Sequence, residues 1–474
     1  MSPAELPYNG KSREDILRHA RLLIGKSLAD LYPETTFTGN AGRGGFGNYI
    51  ERYHFKYEPN SVSEPDFPEA GMELKTSPLR KARDGRWKSK ERIVLGLIDY
   101  HGIVTEIFDG SAFLKKNHHL LIIFYEHDGH ASLSRLVVFL VGDWRYPDND
   151  LAIIRKDWEI IQAKIAAGKA HLLSEGDTVY LGACTKGANA RSLRTQPYCE
   201  SMAMQRAFAL KSRYVNFIIE AFESGGQPAE NISPIFAPNE GVGLETVGFD
   251  KLVVSRFDRY VGMSPRAIAK ERLQKINFKA KSAFANLTKG VLVGQFNTEV
   301  EEFLKAGITV RTIRIDHEGK PQEAVSFPAF EYCELVKEEW EDSDLLADCS
   351  KLFFVVYQCE NENFDNEKLK LKGAFFWNMS VEDLDRARET WEKTREIINN
   401  GGIVQSVSGK RRKTNFPGVT DNPVVHVRPH GRTTADVYPL PVPDAVTGAS
   451  EYTKHSFWLN QKYLREAIAK SLPD

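Results

Sequence analysis

Hydrophobic and polar positions along the chain follow two different periods. Apolar side chains recur near every 3.6 residues in 13–31 and again in 150–167, where Gly168 follows as a stop, so both segments are predicted to be helices. The short runs at 120–125 and 135–144 are rich in β-branched and aromatic residues, which is typical of buried strands. Helices and strands interleaved in this way predict an α/β fold, with a central mixed sheet flanked by helices.

The chain also contains an internal repeat. Five pairs of similar segments occur in the same order, at offsets between 232 and 249 residues: 19–31 and 256–268, 70–76 and 306–312, 120–126 and 352–358, 155–168 and 387–401, and 208–215 and 457–464. Because pairs in constant order indicate duplication of a folding unit, we predict two tandem copies of one domain, in residues 1–222 and 244–474. Residues 223–243 are rich in Gly, Pro and Asn and are predicted to be the linker.

Composition narrows the class of protein. The chain has 474 residues, of which 42% are hydrophobic and 27% charged, as expected of a soluble globular protein with several domains. The net charge of −1 means that any nucleic-acid contact must be local rather than global. The five cysteines are scattered without zinc-ligand spacing, the start lacks the apolar core of a signal peptide, and no apolar run could span a bilayer. We therefore expect a cytoplasmic protein without membrane contact.

The segment 63–81 carries the most informative group of polar residues. If residues 72–76 form a strand, Glu73 and Lys75 share one face, and Asp66 returns from the preceding turn. Two carboxylates can hold a hard divalent cation, and a lysine alongside can orient or deprotonate its water, which is the layout needed to hydrolyse a phosphodiester. The alternative is a surface ion pair, because Glu-x-Lys is common in half-exposed strands.

A glycine-rich stretch, residues 39–55, precedes this segment and contains Glu51. Glycines there permit positive φ angles and a close approach of the backbone to another group, such as a phosphate chain. A flexible loop is the alternative interpretation.

Together these motifs closely resemble the MutH/Sau-type DNA endonuclease family. The residues that carry the resemblance are Arg43, Gly44, Gly47, Glu51, Asp66, Phe67, Gly71, Glu73, Leu74, Lys75, Thr76 and Pro78. The family includes the mismatch-repair nicking enzyme MutH and type II restriction enzymes that cut at GATC. The resemblance extends to about residue 220 and implies a restriction-endonuclease-like fold, of the PD-(D/E)xK kind, and a Mg²⁺-dependent endonuclease.

The resemblance also implies an active site. It consists of three metal-binding acids, a lysine beside them, and a second lysine whose register the sequence leaves open: Glu51, Asp66 and Glu73; Lys75; and Lys115 or Lys116. Two positions depart from the family pattern. Arg43 stands where a lysine is usual, which would keep a phosphate contact, and Ala209 stands where MutH has a tyrosine linked to reading methylation. Methyl sensing therefore does not carry over.

Further basic residues are candidates for DNA contact. Residues 75–92 contain eight Lys or Arg against two acids, a local charge of +6 that suits a phosphate-binding strip, unless it is only a solvated face. In the segment 185–194, Lys186, Arg191 and Arg194 are donors suited to guanine and Asn189 could read adenine, although a solvated turn is the alternative. Lys211 in the following LKSRY segment joins this set through the resemblance.

The second copy has lost the acidic set. Thr309 stands in the place of Glu73, Arg311 in that of Lys75, and Glu302 in that of Asp66. A set with only one carboxylate is expected to bind a divalent cation poorly. This copy nevertheless keeps a segment at the DNA-reading position, with three side chains suited to contact DNA: Arg428, His430 and Arg432. We predict a catalytically inactive copy that binds a second DNA site as an effector, as in the two-domain restriction enzymes that it resembles. The alternative is that it only supports the first copy.

The leading hypothesis is a type II restriction endonuclease that hydrolyses both strands of DNA at GATC with Mg²⁺. A strand-nicking repair endonuclease that needs an activating partner is one alternative, and a non-catalytic DNA-binding regulator is another. We expect double-stranded DNA as the partner, self-association on DNA, because each chain would carry one active site, and a companion DNA methyltransferase acting on the same sequence.

Overall fold

A computed structural model describes most of the chain. The described residues are 6–37, 45–59, 63–82, 85–127, 132–186, 192–226, 231–238, 240–272, 275–280, 282–295, 298–409, 411–433 and 435–472. Within these ranges, no helix is both long enough and apolar enough to cross a membrane.

The amino-terminal half alternates helices and strands. Its helices are α1 (Arg13–Arg21), α2 (Leu28–Leu31), α3 (Gly45–Tyr49), α4 (Ala112–Asn117), α5 (Asp148–Ala166) and α6 (Ser212–Glu223), and a π-helical turn spans Ile50–His54. Its strands are β1 (Glu73–Lys81), β2 (Trp87–Ser89), β3 (Ile93–Leu97), β4 (His119–Glu126), β5 (Val138–Arg145), β6 (Leu181–Thr185), β7 (Leu193–Gln196), β8 (Cys199–Met204) and β9 (Arg206–Leu210). The helix predicted in 150–167 and both predicted strands are confirmed.

The single helix predicted over 13–31 is wrong. The chain leaves α1 after Arg21, and Gly25 takes a left-handed φ of 75° that ends any helical continuation. A new helix then starts at Ser27, whose hydroxyl accepts from the Asp30 backbone N–H while the Asp30 carboxylate accepts from the Ser27 backbone N–H at 2.9 Å. This capping box makes α2 a separate element, which the apolar spacing alone does not reveal.

Two sheets organise the amino-terminal half. The first has the order β2-β1-β4-β5, in which β1 and β4 are parallel and β4 and β5 are antiparallel. Residues 120–124 of β4 are fully buried because both faces of this central strand are covered. The second sheet has the order β3-β9-β6. The strand β1, which carries Glu73 and Lys75, is therefore positioned by a continuous apolar neighbour.

The junction and the carboxy-terminal half continue the mixed α/β architecture. Their helices are α7 (Gly241–Thr246), α8 (Phe249–Asp258), α9 (Pro265–Glu271), α10 (Ala283–Val293), α11 (Glu301–Ala306), α12 (Tyr332–Leu335), α13 (Asp344–Cys349), α14 (Val381–Asn399) and α15 (Gln461–Ser471). Their strands are β10 (Ile232–Ser233), β11 (Glu299–Val300), β12 (Thr309–Ile315), β13 (Val325–Phe330), β14 (Lys351–Cys359), β15 (Leu369–Asn378), β16 (Val404–Ser408), β17 (Arg411–Thr414), β18 (Val425–Pro429), β19 (Val437–Pro439), β20 (Glu451–Thr453) and β21 (His455–Leu459).

The two halves share one pattern of strand pairing. In the first, Glu73 of β1 lies opposite Leu120 of the parallel β4, and in the second, Thr309 of β12 lies opposite Leu352 of the parallel β14. The antiparallel pairs that follow, β4 with β5 and β14 with β15, both shift register just before a tyrosine, Tyr125 in one and Tyr357 in the other. The order β3-β9-β6 recurs as β13-β21-β18. Strand order, register and irregularity all correspond to the repeat in the sequence.

The halves pack closely against each other. One hydrophobic core runs from Leu79 in the first half to Ala374 in the second. Arg213 of α6 pairs with Asp348 of α13, with Nη2 2.9 Å from Oδ1. A cavity of about 470 Å³ lies at this seam, and its lining includes Arg80 and Lys88 from the first half and acids such as Glu338 from the second. The relative position of the halves is therefore held by both apolar and charged contacts.

Candidate active site

Asp66 and Glu73 form a carboxylate pair that the backbone holds in place. The Asp66 backbone N–H donates to Glu73 Oε2 at 3.0 Å, and the Leu74 backbone N–H donates to Asp66 Oδ2 at 2.9 Å. The turn between them is tightened because the Phe67 backbone N–H donates to the Met72 carbonyl at 2.9 Å. Glu73 is only 2% exposed. Each acid is therefore oriented by the segment that carries the other.

Two lysines approach the buried carboxylate of Glu73. Lys75 Nζ donates to Glu73 Oε1 at 2.6 Å, and Lys116 Nζ lies 3.6 Å from the same oxygen. Lys116 comes from α4, which Ser111 caps by accepting from the Leu114 backbone N–H, whereas the side chain of Lys115 is exposed. The structure thus brings Lys116, and not Lys115, to the carboxylate pair.

Glu51 lies beside this pair on the π-helical turn. Burial, followed by the charges of Asp66 and Glu73, raises the pKa of Glu51 to about 7. Burial and the Glu73 charge likewise raise the pKa of Asp66 to about 6. Gly47 allows the preceding helix to come this close, because a Cβ there would lie 3.1 Å from Thr76 Oγ1. The three acids predicted from sequence therefore share one electrostatic environment.

The arrangement fits a divalent cation through its donor chemistry. In the described part of the chain, no three His, Cys, Asp or Glu side chains converge tightly enough to hold a metal ion by themselves. The Glu73 carboxylate is nevertheless close enough to disfavour the ionised form of Asp66, and a cation with oxygen ligands would relieve this repulsion. Asp66 and Glu73 are the core of such a site, and Glu51 stands near them.

A histidine pair that the sequence analysis missed anchors the turn carrying Glu51. The imidazoles of His19 and His54 stack with centroids 4.1 Å apart, and the Nε2 of each donates to the backbone carbonyl of the other, at 3.2 and 3.1 Å. The Tyr32 hydroxyl donates to His54 Nδ1 at 3.0 Å. Burial lowers the pKa of His54 to about 4, so the pair is neutral near pH 7. No local sequence signal indicates this contact between α1 and the π-helical turn.

The residues predicted to contact DNA in the first half fall into three groups. Lys186 and Arg194 are exposed beside β6 and on β7, as a DNA contact requires. Lys211 instead donates from Nζ to the carbonyls of Glu175 and Thr178, at 2.6 and 2.7 Å, so its ammonium is already bound within the protein. The predictions for Arg43, Asn189 and Arg191 fall outside the described residues.

The basic strip predicted over 75–92 is only partly open. Arg92 is bound by Glu175, by Asp342 at 3.3 Å and by the Glu341 carbonyl. Arg80 Nη2 lies 3.5 Å from Asp344 Oδ1. Part of the local positive charge is therefore used to attach the second half, because the carboxylates of Asp342 and Asp344 face it, and the strip is not a continuous phosphate-binding surface.

The second half differs at each position of the acidic set. Thr309 offers no carboxylate, and Arg311 donates from Nη2 to the Ser326 carbonyl at 2.9 Å. Glu302 does not lie in a turn like Asp66: it belongs to α11 and accepts the backbone N–H groups of Ile235 and Phe236 at 2.9 and 3.3 Å. The carboxylate that replaces Asp66 in sequence thus caps the segment joining the halves.

Exposed basic residues cluster on the carboxy-terminal half. The Arg428 guanidinium lies over the Trp458 ring, 4.9 Å from its centroid, and His430 Nδ1 is 3.0 Å from Ser456 Oγ. Arg428, His430 and Arg432 are all exposed. The three predicted side chains are therefore all accessible, at the end of β18 and in the loop that follows it.

Comparison with known proteins agrees with this geometry. The family model described as "DNA mismatch repair enzyme MutH" matches residues 55–157 and again 295–389. The chain is 33% identical to "Type II restriction enzyme Sau3AI" of Staphylococcus aureus, over 96% of this chain and 98% of that protein. It is 28% identical to "DNA mismatch repair protein MutH" of Shewanella woodyi, over 45% of this chain and 93% of that protein.

An α/β fold with a buried carboxylate pair and two lysines provides the donor groups that a metal-assisted phosphodiesterase needs. The chain belongs to the MutH/Sau-type DNA endonuclease family, and it is a type II site-specific deoxyribonuclease. The resemblance noted from the sequence is thereby confirmed. Enzymes of this family act on double-stranded DNA and generally use divalent metal ions.

Proposed function

We propose that this enzyme hydrolyses both strands of double-stranded DNA at GATC with Mg²⁺, and that Asp66, Glu73, Lys75 and Lys116 form its active site, with Glu51 beside them. The observation that carries the proposal is the Asp66–Glu73 pair with Lys75 Nζ 2.6 Å from Glu73 Oε1, inside a chain similar over nearly its whole length to a type II restriction enzyme. GATC is taken from the family resemblance.

Each of these side chains has a separate role in the proposed hydrolysis. When bound, Mg²⁺ would stabilise the negative charge that builds up on the phosphate and lower the pKa of a water molecule. Asp66 and Glu73 would hold it through their oxygens. Lys75 is placed beside Glu73 to orient the attacking water, and the positive charge of Lys116 offsets charge on the phosphate.

We further propose that residues 1–222 and 244–474 are tandem restriction-endonuclease-like copies joined by residues 223–243. Support comes from the recurring strand order and from the two separate matches to one family model. The second copy lacks the acids and keeps exposed Arg428, His430 and Arg432, which suits binding of a second DNA site as an effector.

The proposed reaction also has consequences for self-association of the enzyme and for the cell that contains it. Each chain would carry one active site, so cleavage of both strands requires self-association on DNA or two successive nicks. A cell that makes such an enzyme needs a methyltransferase protecting the same sequence, without direct contact between the two proteins. All five cysteines are free thiols, in keeping with a reducing cytoplasm.

Plasmid cleavage tests the proposal. Supercoiled plasmid with Mg²⁺ should become discrete linear fragments, and sequencing of their ends should show GATC. Glu73→Gln should abolish cutting and retain DNA binding, whereas Thr309→Ala, the corresponding change in the second half, should cut normally. Nicked circles without linear product would favour a MutH-like nicking enzyme, and no cleavage by the wild type would favour a DNA-binding regulator.

A further inference from the structure

The second half carries an aromatic side chain in contact with two of its exposed basic residues. The Arg428 guanidinium lies over the Trp458 ring, 4.9 Å from its centroid, and the His430 ring packs against the same indole, with centroids 5.7 Å apart. Trp458 itself is half-buried, so one side of it remains close to solvent. One indole thus contacts two of the three residues that are predicted to bind DNA in this half.

Strand pairing explains why these side chains meet. The strands β18 and β21 are antiparallel, with His426 opposite Trp458 and Arg428 opposite Ser456. Arg428 is therefore the diagonal neighbour of Trp458 on one face of the sheet, a separation that long and aromatic side chains can bridge. Beyond the end of the strand, His430 Nδ1 lies 3.0 Å from Ser456 Oγ. Strand register and one polar contact together set both positions.

The corresponding face of the first half has different chemistry. In the pairing of β6 with β9, Gly182 lies opposite Ala209 and Cys184 opposite Ala207. Register places Ala209 where the second half has Trp458, and the cysteine and both alanines form a small buried apolar cluster. A sheet of this order therefore does not need a large aromatic residue at this position for its packing.

The Arg428 guanidinium keeps its donors available. It is exposed, and within the described ranges no carboxylate forms an ion pair with it. Arg92, by contrast, is bound by Glu175 and by Asp342. Stacking on an aromatic ring restricts the orientation of a guanidinium without using its N–H groups. A donor fork held in this way is suited to bidentate contact with a guanine edge.

We propose that Trp458 is a positioning residue, which holds Arg428 and His430 for contact with base edges of the second DNA site, where Arg428 reads a guanine. This inference rests on the proposed function, because it requires that the second half binds DNA. It adds that the second half recognises DNA with a set of side chains that the first half lacks.

Phe278 supplies a matched control. The Arg266 guanidinium lies over the Phe278 ring, 5.4 Å from its centroid, but its Nε and Nη2 donate to the Glu367 carboxylate at 2.9 and 2.8 Å. The donors of this arginine are therefore already used. Phe278→Leu removes an arginine–aromatic contact outside the proposed DNA surface, so it should not alter DNA binding.

The experiment titrates a short duplex with one GATC site into the full chain carrying Glu73→Gln, which prevents cutting. Calorimetry gives the number of duplexes bound per chain and the affinity of each, and this parent protein should bind two. Trp458→Leu and Arg428→Lys should each weaken one of the two binding steps by about 5- to 30-fold and leave the other unchanged. Trp458→Phe, which keeps an aromatic face, and Phe278→Leu should bind within about threefold of the parent.

A double variant tests whether Trp458 acts through Arg428. In the Arg428→Ala background, Trp458→Leu should weaken binding by less than about threefold more, because only His430 remains to be positioned. Additive losses would show that Trp458 only supports the fold, and would overturn the inference.

Arg428→Lys changes an exposed side chain, so it decides the question even if Trp458→Leu lowers stability. Parent-like affinity of Arg428→Lys, with two duplexes still bound, would overturn the inference alone. A parent that binds one duplex per chain would overturn both the inference and the effector role in the proposed function.

Discussion

Asp150 of α5 and Lys305 of α11 form an ion pair that joins the two halves of the chain. Lys305 Nζ lies 2.8 Å from Asp150 Oδ1, each side chain is 3% exposed, and the Tyr214 hydroxyl donates to Asp150 Oδ2 at 2.8 Å. Removing one partner from such a pair leaves a buried charge without compensation, which costs far more than the pair contributes when intact.

Lys305→Met should therefore lower the free energy of unfolding by about 3–5 kcal/mol, because Asp150 loses its buried counter-charge. Urea denaturation measures the change. Lys393→Ala is the control, since Lys393 and Glu396 form an exposed pair, 57% and 59% accessible, and its loss should change stability by less than about 1 kcal/mol. Equal effects from both variants would contradict the structural importance of the buried pair.

The two neighbouring lysines of α4 should behave differently. Lys116→Ala should slow cleavage by about 10²–10³-fold, because a positive charge 3.6 Å from Glu73 Oε1 is lost from the site. Lys115→Ala should cut within about threefold of wild type, since its side chain points into solvent. Single-turnover rates decide between them, and a larger loss from Lys115→Ala would reverse the assignment.

The pKa values of the acids predict how cleavage depends on pH. Asp66 and Glu51 have pKa values raised to about 6 and about 7, so below these values the carboxyl groups are protonated and hold a cation poorly. The cleavage rate at limiting Mg²⁺ should rise steeply between about pH 5.5 and 7.5. A rate that is flat across this window would contradict the assignment of these acids to the cation.

Stability without metal should change with pH in the opposite direction. Because the folded pKa of Glu51 lies above its ordinary value of 4.5, the folded state binds more protons than the unfolded state between about pH 4.5 and 7. This contribution is fully present below pH 4.5 and is lost as pH rises through 7. Glu51→Gln, which cannot ionise, should flatten the fall in melting temperature between pH 5 and 8, and an unchanged slope would argue against burial of this acid.

Variants at Lys186 and Lys211 should distinguish an effect on DNA binding from an effect on stability. Lys186 is exposed, so Lys186→Ala should weaken binding of the cognate site by about 1–3 kcal/mol and leave the urea midpoint unchanged. Lys211 is bound to two carbonyls, so Lys211→Ala should lower the midpoint and leave DNA affinity nearly unchanged. Fluorescence anisotropy at fixed salt measures the affinities. The reverse pattern would restore Lys211 to the DNA surface.

The acid–lysine segment was predictable from the sequence for a simple physical reason. Side chains two apart on a strand share a face, so Glu73 and Lys75 had to meet if the segment was extended, and the structure places them 2.6 Å apart. The sequence repeat predicted the recurring strand pairing for a similar reason, because strand register depends on the apolar runs that the two halves share. The single helix over 13–31 failed because Gly25 and the Ser27 cap interrupt a pattern that spacing alone would continue.

The amino-acid sequence by itself determined which side chains share a face of each helix or strand, and its motif residues carried the family resemblance that predicts the three acids. Only the tertiary structure decided which basic side chains remain accessible for contact with DNA. Arg92, Lys186 and Lys211 are all basic residues in segments predicted to contact DNA. Arg92 and Lys211 are nevertheless bound by groups from distant segments of the chain. The partner of a long cationic side chain depends on what the folded chain brings within a few ångströms of it, and periodicity carries no information about such contacts.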